Sequence, residues 1–101
     1  MREKTVSEAI QYRRSVRIYD SKKPIDSELV KRCIKQASLA PSSSNLQLWE
    51  FYHVRSKDLL KKISKVCYNQ PAAKTAQELV IPVVRLDLWT QRIKSNVDFI
   101  K

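Results

Sequence analysis

The sequence predicts an α+β domain from its helix and strand patterns, and an incomplete one because only two strand patterns are present. Helix patterns cover residues 5–13, 26–40, 57–67, 72–77 and 87–101, whereas residues 49–54 and 79–86 are typical of strands. Two strands rarely form a stable sheet alone. The last helix pattern also runs to the final residue without a stop signal. We therefore expect further strands to lie beyond this chain or in a partner subunit.

Capping residues and one proline refine these elements. Side chains able to cap a helix precede most of the helix patterns: Thr5 with Glu8 in capping-box spacing, Asp26 or Ser27, Ser56, and Asp87. Residues 14–19 are predicted to be extended. The second strand is apolar and predicted to be buried, but Pro82 has no amide hydrogen and predicts a sheet edge or a bulge. Trp49, Phe51 and Trp89 are expected in the core.

The chain contains no glycine, whereas average usage would give roughly seven in this length. This excludes the glycine-rich loops that bind the phosphates of dinucleotides and nucleoside triphosphates. It also predicts that left-handed positions at helix ends are taken by Asn or by strained residues. Any phosphate must therefore be held by side chains and helix ends.

The net charge of +10 comes from Lys and Arg spread along the whole chain. Such a surplus permits nucleic-acid binding but favours it only weakly, because no helix-turn-helix or RNA-recognition pattern is present. Cys33 and Cys67 lack neighbours at metal-ligand spacing and are expected to be buried free thiols of a cytoplasmic protein. A single histidine, His53, argues against a multi-histidine zinc site. We expect no signal peptide and no membrane span.

The densest group of candidate ligands is Arg13-Arg14-Ser15-Val16-Arg17. In an extended segment, alternation places Arg13, Ser15 and Arg17 on one face, where two guanidinium forks and a hydroxyl could bind an anion. A solvated basic patch at a helix end explains the same spacing, and on spacing alone it is the better interpretation.

A second candidate is the segment Ala40-Pro41-Ser42-Ser43-Ser44-Asn45-Leu46-Gln47. Its hydroxyls and amides can donate hydrogen bonds to phosphate, sugar or ring atoms. By itself, this segment is better interpreted as an ordinary polar loop.

Together, the two motifs resemble the nitroreductase family of flavoenzymes. The resemblance rests on residues 13–20, on Pro24-Ile25 and on residues 40–51, and continues more loosely through Asn69-Gln70, Thr75-Ala76 and residues 79–86. It implies that residues 1–101 are the N-terminal part of a single FMN-binding domain. It also implies a three-layer α/β/α sandwich, and a homodimer with FMN held between the subunits.

The resemblance also implies roles for individual residues. Arg13, helped by Ser15, would bind the FMN phosphate, Arg14 the phosphate or ribityl chain, and Arg17 the pyrimidine edge of the flavin. The remaining implied ligands are Pro41, Ser42, Ser43 and Asn45, which would reach the FMN of the other subunit, Gln47 of the same motif, and Asn69 or Gln70 near ribityl or ring atoms.

The implied reaction is electron transfer from NADH or NADPH, through FMN, to a nitro compound, quinone or similar small acceptor in a ping-pong cycle. No side chain is expected to act as a nucleophile, because the flavin carries the chemistry. Leu48 stands where the family usually has Pro, and the family's later strands have no counterpart. Two alternatives stay open: a basic nucleic-acid-binding module without redox activity, and an inactive truncated product.

Overall fold

The computed structural model describes residues 2–101 as a mixed α and β structure, which confirms the predicted class. Its helices are α1 (Val6–Tyr12), α2 (Ser27–Ala37), α3 (Lys57–Val66), α4 (Pro71–Thr75) and α5 (Trp89–Ile100), with 3-10 turns at Ser43–Asn45 and Leu86–Leu88. The strands β1 (Trp49–Val54) and β2 (Leu79–Val84) form a two-stranded antiparallel sheet. Every helix in residues 2–101 is too short or too polar to traverse a bilayer.

The predicted caps are present on the first three helices. The Thr5 hydroxyl accepts from the Glu8 amide at 3.3 Å, and the Glu8 carboxylate accepts from the Thr5 amide at 2.8 Å. This reciprocal capping box satisfies two amides that the first turn of α1 leaves without partners. Asp26 caps α2 and Ser56 caps α3 in the same way, each with a side-chain oxygen.

The predicted cap on the last helix is wrong. The Asp87 carboxylate instead accepts two hydrogen bonds from the Arg85 guanidinium, at 2.9 and 2.8 Å. A bidentate, charge-assisted pair is stronger than a bond to a neutral amide, and it lowers the pKa of Asp87. Helix α5 therefore begins at Trp89 without a side-chain cap.

The two strands pair in unbroken register from Trp49 opposite Val84 to Val54 opposite Leu79. Pro82 lies opposite Phe51 without a bulge, and β2 has one neighbouring strand within residues 2–101. The predicted edge position is thus confirmed for the described chain. The predicted burial of this strand is wrong, because nothing within residues 2–101 covers its outer face and Val84 is 68% exposed.

The core within this chain is small, since Val54, Leu60 and Ser64 are the buried residues among 2–101. Trp49 and Phe51 are half-buried, but Trp89 is 54% exposed, so its predicted core position is wrong. Cys33 and Cys67 are free, as predicted, but exposed rather than buried.

The radius of gyration, 17.3 Å, exceeds the roughly 13 Å of a compact 100-residue domain. The apolar side chains of Trp89 and Val84 are exposed because no element of residues 2–101 packs over them. Such exposure is expected for an incomplete sandwich.

Left-handed backbone falls on residues other than glycine, as the composition predicts. The positions are Ser44, Asn45, Gln47, Tyr68 and Asn69, with φ between 50° and 56°. At the end of α3, the Asn69 amide donates to the Ser64 carbonyl at 2.8 Å and the Tyr68 amide to the Lys65 carbonyl at 3.1 Å. This pattern is a Schellman motif in which tyrosine occupies the position that glycine usually takes.

Candidate cofactor site

The arginine segment, residues 13–17, lies between the end of α1 and a bend at Ile18 and forms neither helix nor strand. Its predicted ligands Arg13, Arg14, Ser15 and Arg17 are all exposed. Arg13 Nη1 donates to Ser15 Oγ at 3.4 Å, so these two side chains meet on one side of the segment. The structure thus supports the alternation predicted for this pair.

Within residues 2–101, no carboxylate pairs with an arginine of this segment, whereas Arg2, Arg55 and Arg85 each have acidic partners. Arginine remains charged at every physiological pH. The segment therefore presents positive charge that no carboxylate of residues 2–101 neutralises. An incoming phosphate would meet bidentate donors without first breaking an ion pair.

Arg14 differs from the other two arginines of the segment. Its Nη1 atom donates to the carbonyl oxygens of Gln11, at 2.8 Å, and Arg13, at 2.9 Å, and more weakly to that of Tyr12. A helix C-terminus carries partial negative charge and carbonyls without partners, so a guanidinium there stabilises it. Arg14 thus caps α1 with one nitrogen, and its remaining nitrogens are available to a ligand.

The second candidate segment, residues 41–47, is a tight turn built on its own serines. The Ser42 carbonyl accepts from the Asn45 amide at 3.0 Å, and the Ser42 hydroxyl accepts from the Gln47 amide at 3.1 Å. Ser42 is half-buried, whereas Pro41, Ser43, Asn45 and Gln47 are exposed. The hydroxyl and amide groups of the exposed residues remain available as ligands.

Helix α5 holds this loop in place, because Asn96 Nδ2 donates to the Ser44 carbonyl at 2.7 Å. The loop also forms part of the wall of a cavity of about 170 Å³, lined by Ser42, Ser43, Leu46, Gln47, Leu48, Trp49 and Val84. The sequence gives no signal for the Asn96 contact, since it joins residues 52 positions apart.

Asn69 and Gln70 lie between α3 and α4, and both are exposed. Their amides are used locally, since Asn69 N donates to the Ser64 carbonyl and Gln70 N to the Cys67 carbonyl. Gln70 also lines a larger, mainly apolar groove of about 680 Å³ between residues 19–25, α2, α4 and β2. Neither the arginine segment nor residues 41–47 line that groove.

Within residues 2–101, no hydrogen bond or ion pair joins the arginine segment to residues 41–47 or to residues 69–70. Each segment is held by a different part of the chain. The contacts that hold the predicted ligands therefore leave them in three groups that are not hydrogen-bonded to one another within residues 2–101.

A half-buried polar cluster around Glu78 is a feature that the sequence reasoning missed. The Glu78 carboxylate accepts hydrogen bonds from the Ser27 hydroxyl and from His53 Nε2, and Arg55 Nε lies 3.6 Å from it. The hydrogen bond from Ser27 is the main cause that lowers the pKa of Glu78, and the hydrogen bond and charge of His53 lower it further. Burial acts in the opposite direction and raises this pKa. The sequence signal that could have indicated this cluster is a single carboxylate, Glu78, directly before an apolar strand.

This cluster joins α2 to both strands. Ser27 and His53 bond to the same carboxylate, so the imidazole is not placed as a base for the serine hydroxyl, as a nucleophilic triad would require. The role of the cluster is therefore structural, because it links α2 to the two strands. Among residues 2–101, no three His, Cys, Asp or Glu side chains are grouped to hold a metal ion.

The mixed α and β fold and its exposed arginine and serine segments define a scaffold suited to an anionic cofactor. The sequence profile described as the Nitroreductase family matches residues 10–100, and the chain belongs to that family.

Relatives of known sequence agree with this assignment. A protein of Archaeoglobus fulgidus, whose name joins NADH dehydrogenase with NAD(P)H nitroreductase, is 45% identical over 55% of this chain and 32% of its own length. The oxygen-insensitive NADPH nitroreductase of Helicobacter pylori is 36% identical over 68% of this chain and 33% of its own length. The chain therefore spans about a third of the curated relatives that it matches.

Solved structures show the same fold. A nitroreductase-like protein from Streptococcus mutans is 26% identical, with a TM-score of 0.73 over 93% of this chain and 48% of its own. A protein of Exiguobacterium sibiricum, described as a nitroreductase and solved in complex with FMN, is 24% identical, with a TM-score of 0.75 over 97% of this chain and 49% of its own. The chain thus corresponds to about half of a nitroreductase-like fold.

Proposed function

We propose that the protein carrying this chain is an FMN-dependent oxidoreductase. It would pass electrons from NADH or NADPH to nitro compounds, quinones or similar small acceptors in a ping-pong cycle. The observation that carries the proposal is the exposed arginine segment, which has no acidic partner among residues 2–101, in a chain of the Nitroreductase family. The names of the relatives and the FMN complex of the Exiguobacterium sibiricum protein support it.

The donors of the arginine segment fit the phosphate of FMN. Arg13 and Ser15 meet on one side, so the guanidinium would bind the phosphate while the hydroxyl adds a further hydrogen bond. Arg14, anchored to the end of α1 through Nη1, would contact the phosphate or ribityl chain with its other nitrogens. Because the chain has no glycine, these side chains replace a glycine-rich phosphate loop.

Arg17 would lie near the pyrimidine edge of the flavin. When bound, FMN would accept a hydride and pass it on. A permanent cation at this edge would stabilise the negatively charged reduced form of the flavin. We assign no catalytic residue, since none of the described side chains is required as a nucleophile.

The serine loop would serve the cofactor of a partner subunit in a homodimer. This accounts for the lack of hydrogen bonds between residues 41–47 and the arginine segment within one chain. Pro41, Ser42, Ser43 and Asn45 would approach that second FMN, with Gln47 of the same turn beside them. Asn69 or Gln70 would add a contact to ribityl or ring atoms. In such an assembly, the partner subunit could bury the exposed apolar side chains of α1 and α5.

The proposal is tested by flavin titration of the purified protein, followed by fluorescence quenching. We expect Arg13→Ala to weaken FMN binding roughly 10- to 150-fold, the loss of one charge-assisted hydrogen bond. Arg32→Ala, which removes an exposed arginine from α2, is the matched control and leaves the affinity unchanged. A colourless protein that binds no FMN would refute the proposal and favour an inactive product.

The nucleic-acid-binding alternative rests on the net charge alone and receives no support from the family match.

A further inference from the structure

The chain that follows the arginine segment is anchored by side chains of two distant residues, Thr75 and Gln77. The Thr75 hydroxyl accepts from the Tyr19 amide at 2.9 Å and donates to the Pro71 carbonyl at 2.7 Å. It therefore links Tyr19 to the first turn of α4.

Gln77 makes three further contacts with the same stretch of chain. Its Nε2 donates to the carbonyls of Asp20, at 2.9 Å, and Lys23, at 2.6 Å, and its Oε1 accepts from the Ile25 amide at 3.2 Å. The side-chain amide thus replaces the backbone partners that residues 20–25 would have in a sheet. Both Thr75 and Gln77 are half-buried immediately before β2.

These anchors matter because the arginine segment has few of its own. Within residues 14–18, no backbone amide donates a hydrogen bond to another backbone group of residues 2–101. The segment is fixed at one end by α1 and at the other by Tyr19. A ligand that needs Arg13, Ser15 and Arg17 in one arrangement would otherwise have to order a flexible segment, and this lowers affinity.

We propose that Thr75 and Gln77 are positioning residues for the anion-binding arginine segment, which they act on through the backbone of residues 19–25. This inference rests on the proposed function. It predicts that the two residues contribute more to recognition of the phosphate, which Arg13 and Ser15 would bind, than to recognition of the flavin ring, which only Arg17 of the segment would approach. Neither side chain needs to touch the cofactor.

The test compares FMN with riboflavin, which has the same ring and ribityl chain but no phosphate. Thr75→Val removes the hydroxyl at nearly constant volume, and we expect it to weaken FMN binding about two- to tenfold. Gln77→Met removes three hydrogen bonds, and we expect a loss of about ten- to a hundredfold. Riboflavin affinity should fall less than FMN affinity in both variants, because riboflavin lacks the phosphate that Arg13 and Ser15 would bind.

Two controls accompany these variants. Thr75→Ser retains the hydroxyl and restores FMN affinity, whereas Thr90→Val makes the same chemical change at an exposed position of α5 and has no effect. Circular dichroism establishes that each variant is folded.

Two kinds of result would overturn the inference. Equal loss of FMN and riboflavin, or no loss of either, would leave Thr75 and Gln77 with a purely structural role while the proposed function stands. A wild-type protein that binds neither flavin would overturn the proposed function and this inference together.

Discussion

Replacing Tyr68 with glycine should stabilise the protein. Tyr68 has a φ of 56° at the position of the Schellman motif where glycine is usual. A left-handed conformation costs a residue with a Cβ atom about 1–2 kcal/mol, while glycine loses about 0.5–1 kcal/mol more conformational freedom on folding. The Tyr68 side chain is 90% exposed, so little burial is lost with it. The net stabilisation is therefore about 0.5–1 kcal/mol.

Urea denaturation of wild type, Tyr68→Gly and Tyr68→Ala measures this difference. Alanine removes the ring but keeps the Cβ atom, so Tyr68→Ala should leave the free energy of unfolding unchanged or lower it. The glycine variant should also raise the thermal midpoint by about 2–8 °C. The reasoning is refuted if Tyr68→Gly is no more stable than wild type, or if Tyr68→Ala gains as much.

Two further predictions concern the tertiary contacts. The lowered pKa of Glu78 means that its stabilising effect is fully present above its ordinary value of 4.5 and is lost as the pH falls through the folded value. Acid unfolding of Glu78→Gln should therefore depend less steeply on pH below about 4.5 than that of wild type, and identical profiles would contradict the assignment. Asn96→Leu removes the donor to the Ser44 carbonyl and should speed amide hydrogen exchange in residues 42–47, whereas Gln91→Leu, an exposed position of the same helix, should not.

The local elements could be predicted because their causes are local. Thr5 and Glu8 lie within one helical turn, so their capping box follows from spacing alone. The absence of glycine likewise predicted Asn or a strained residue at left-handed helix ends, and Asn69 and Tyr68 occupy such positions. The arginine and serine motifs were visible because each is contiguous in the chain.

Burial could not be predicted in the same way. Trp89 and Cys33 have the apolar spacing of core residues, yet they are exposed because nothing within residues 2–101 packs over them. An apolar stripe shows that a surface suits burial, but it does not provide the surface that covers it. The cap expected from Asp87 failed for a related reason, since Arg85 offered its carboxylate a stronger partner.

The sequence by itself determined the helices, the strands, the family and the candidate ligands, because these depend on residue type and short spacing. Only the tertiary structure decided what holds the ligand segments in place. Thr75 reaches Tyr19 across 56 residues, and Gln77 reaches Asp20 across 57. Such hydrogen bonds need two distant backbones to meet, and side-chain amides and hydroxyls form them only where the fold brings those backbones together.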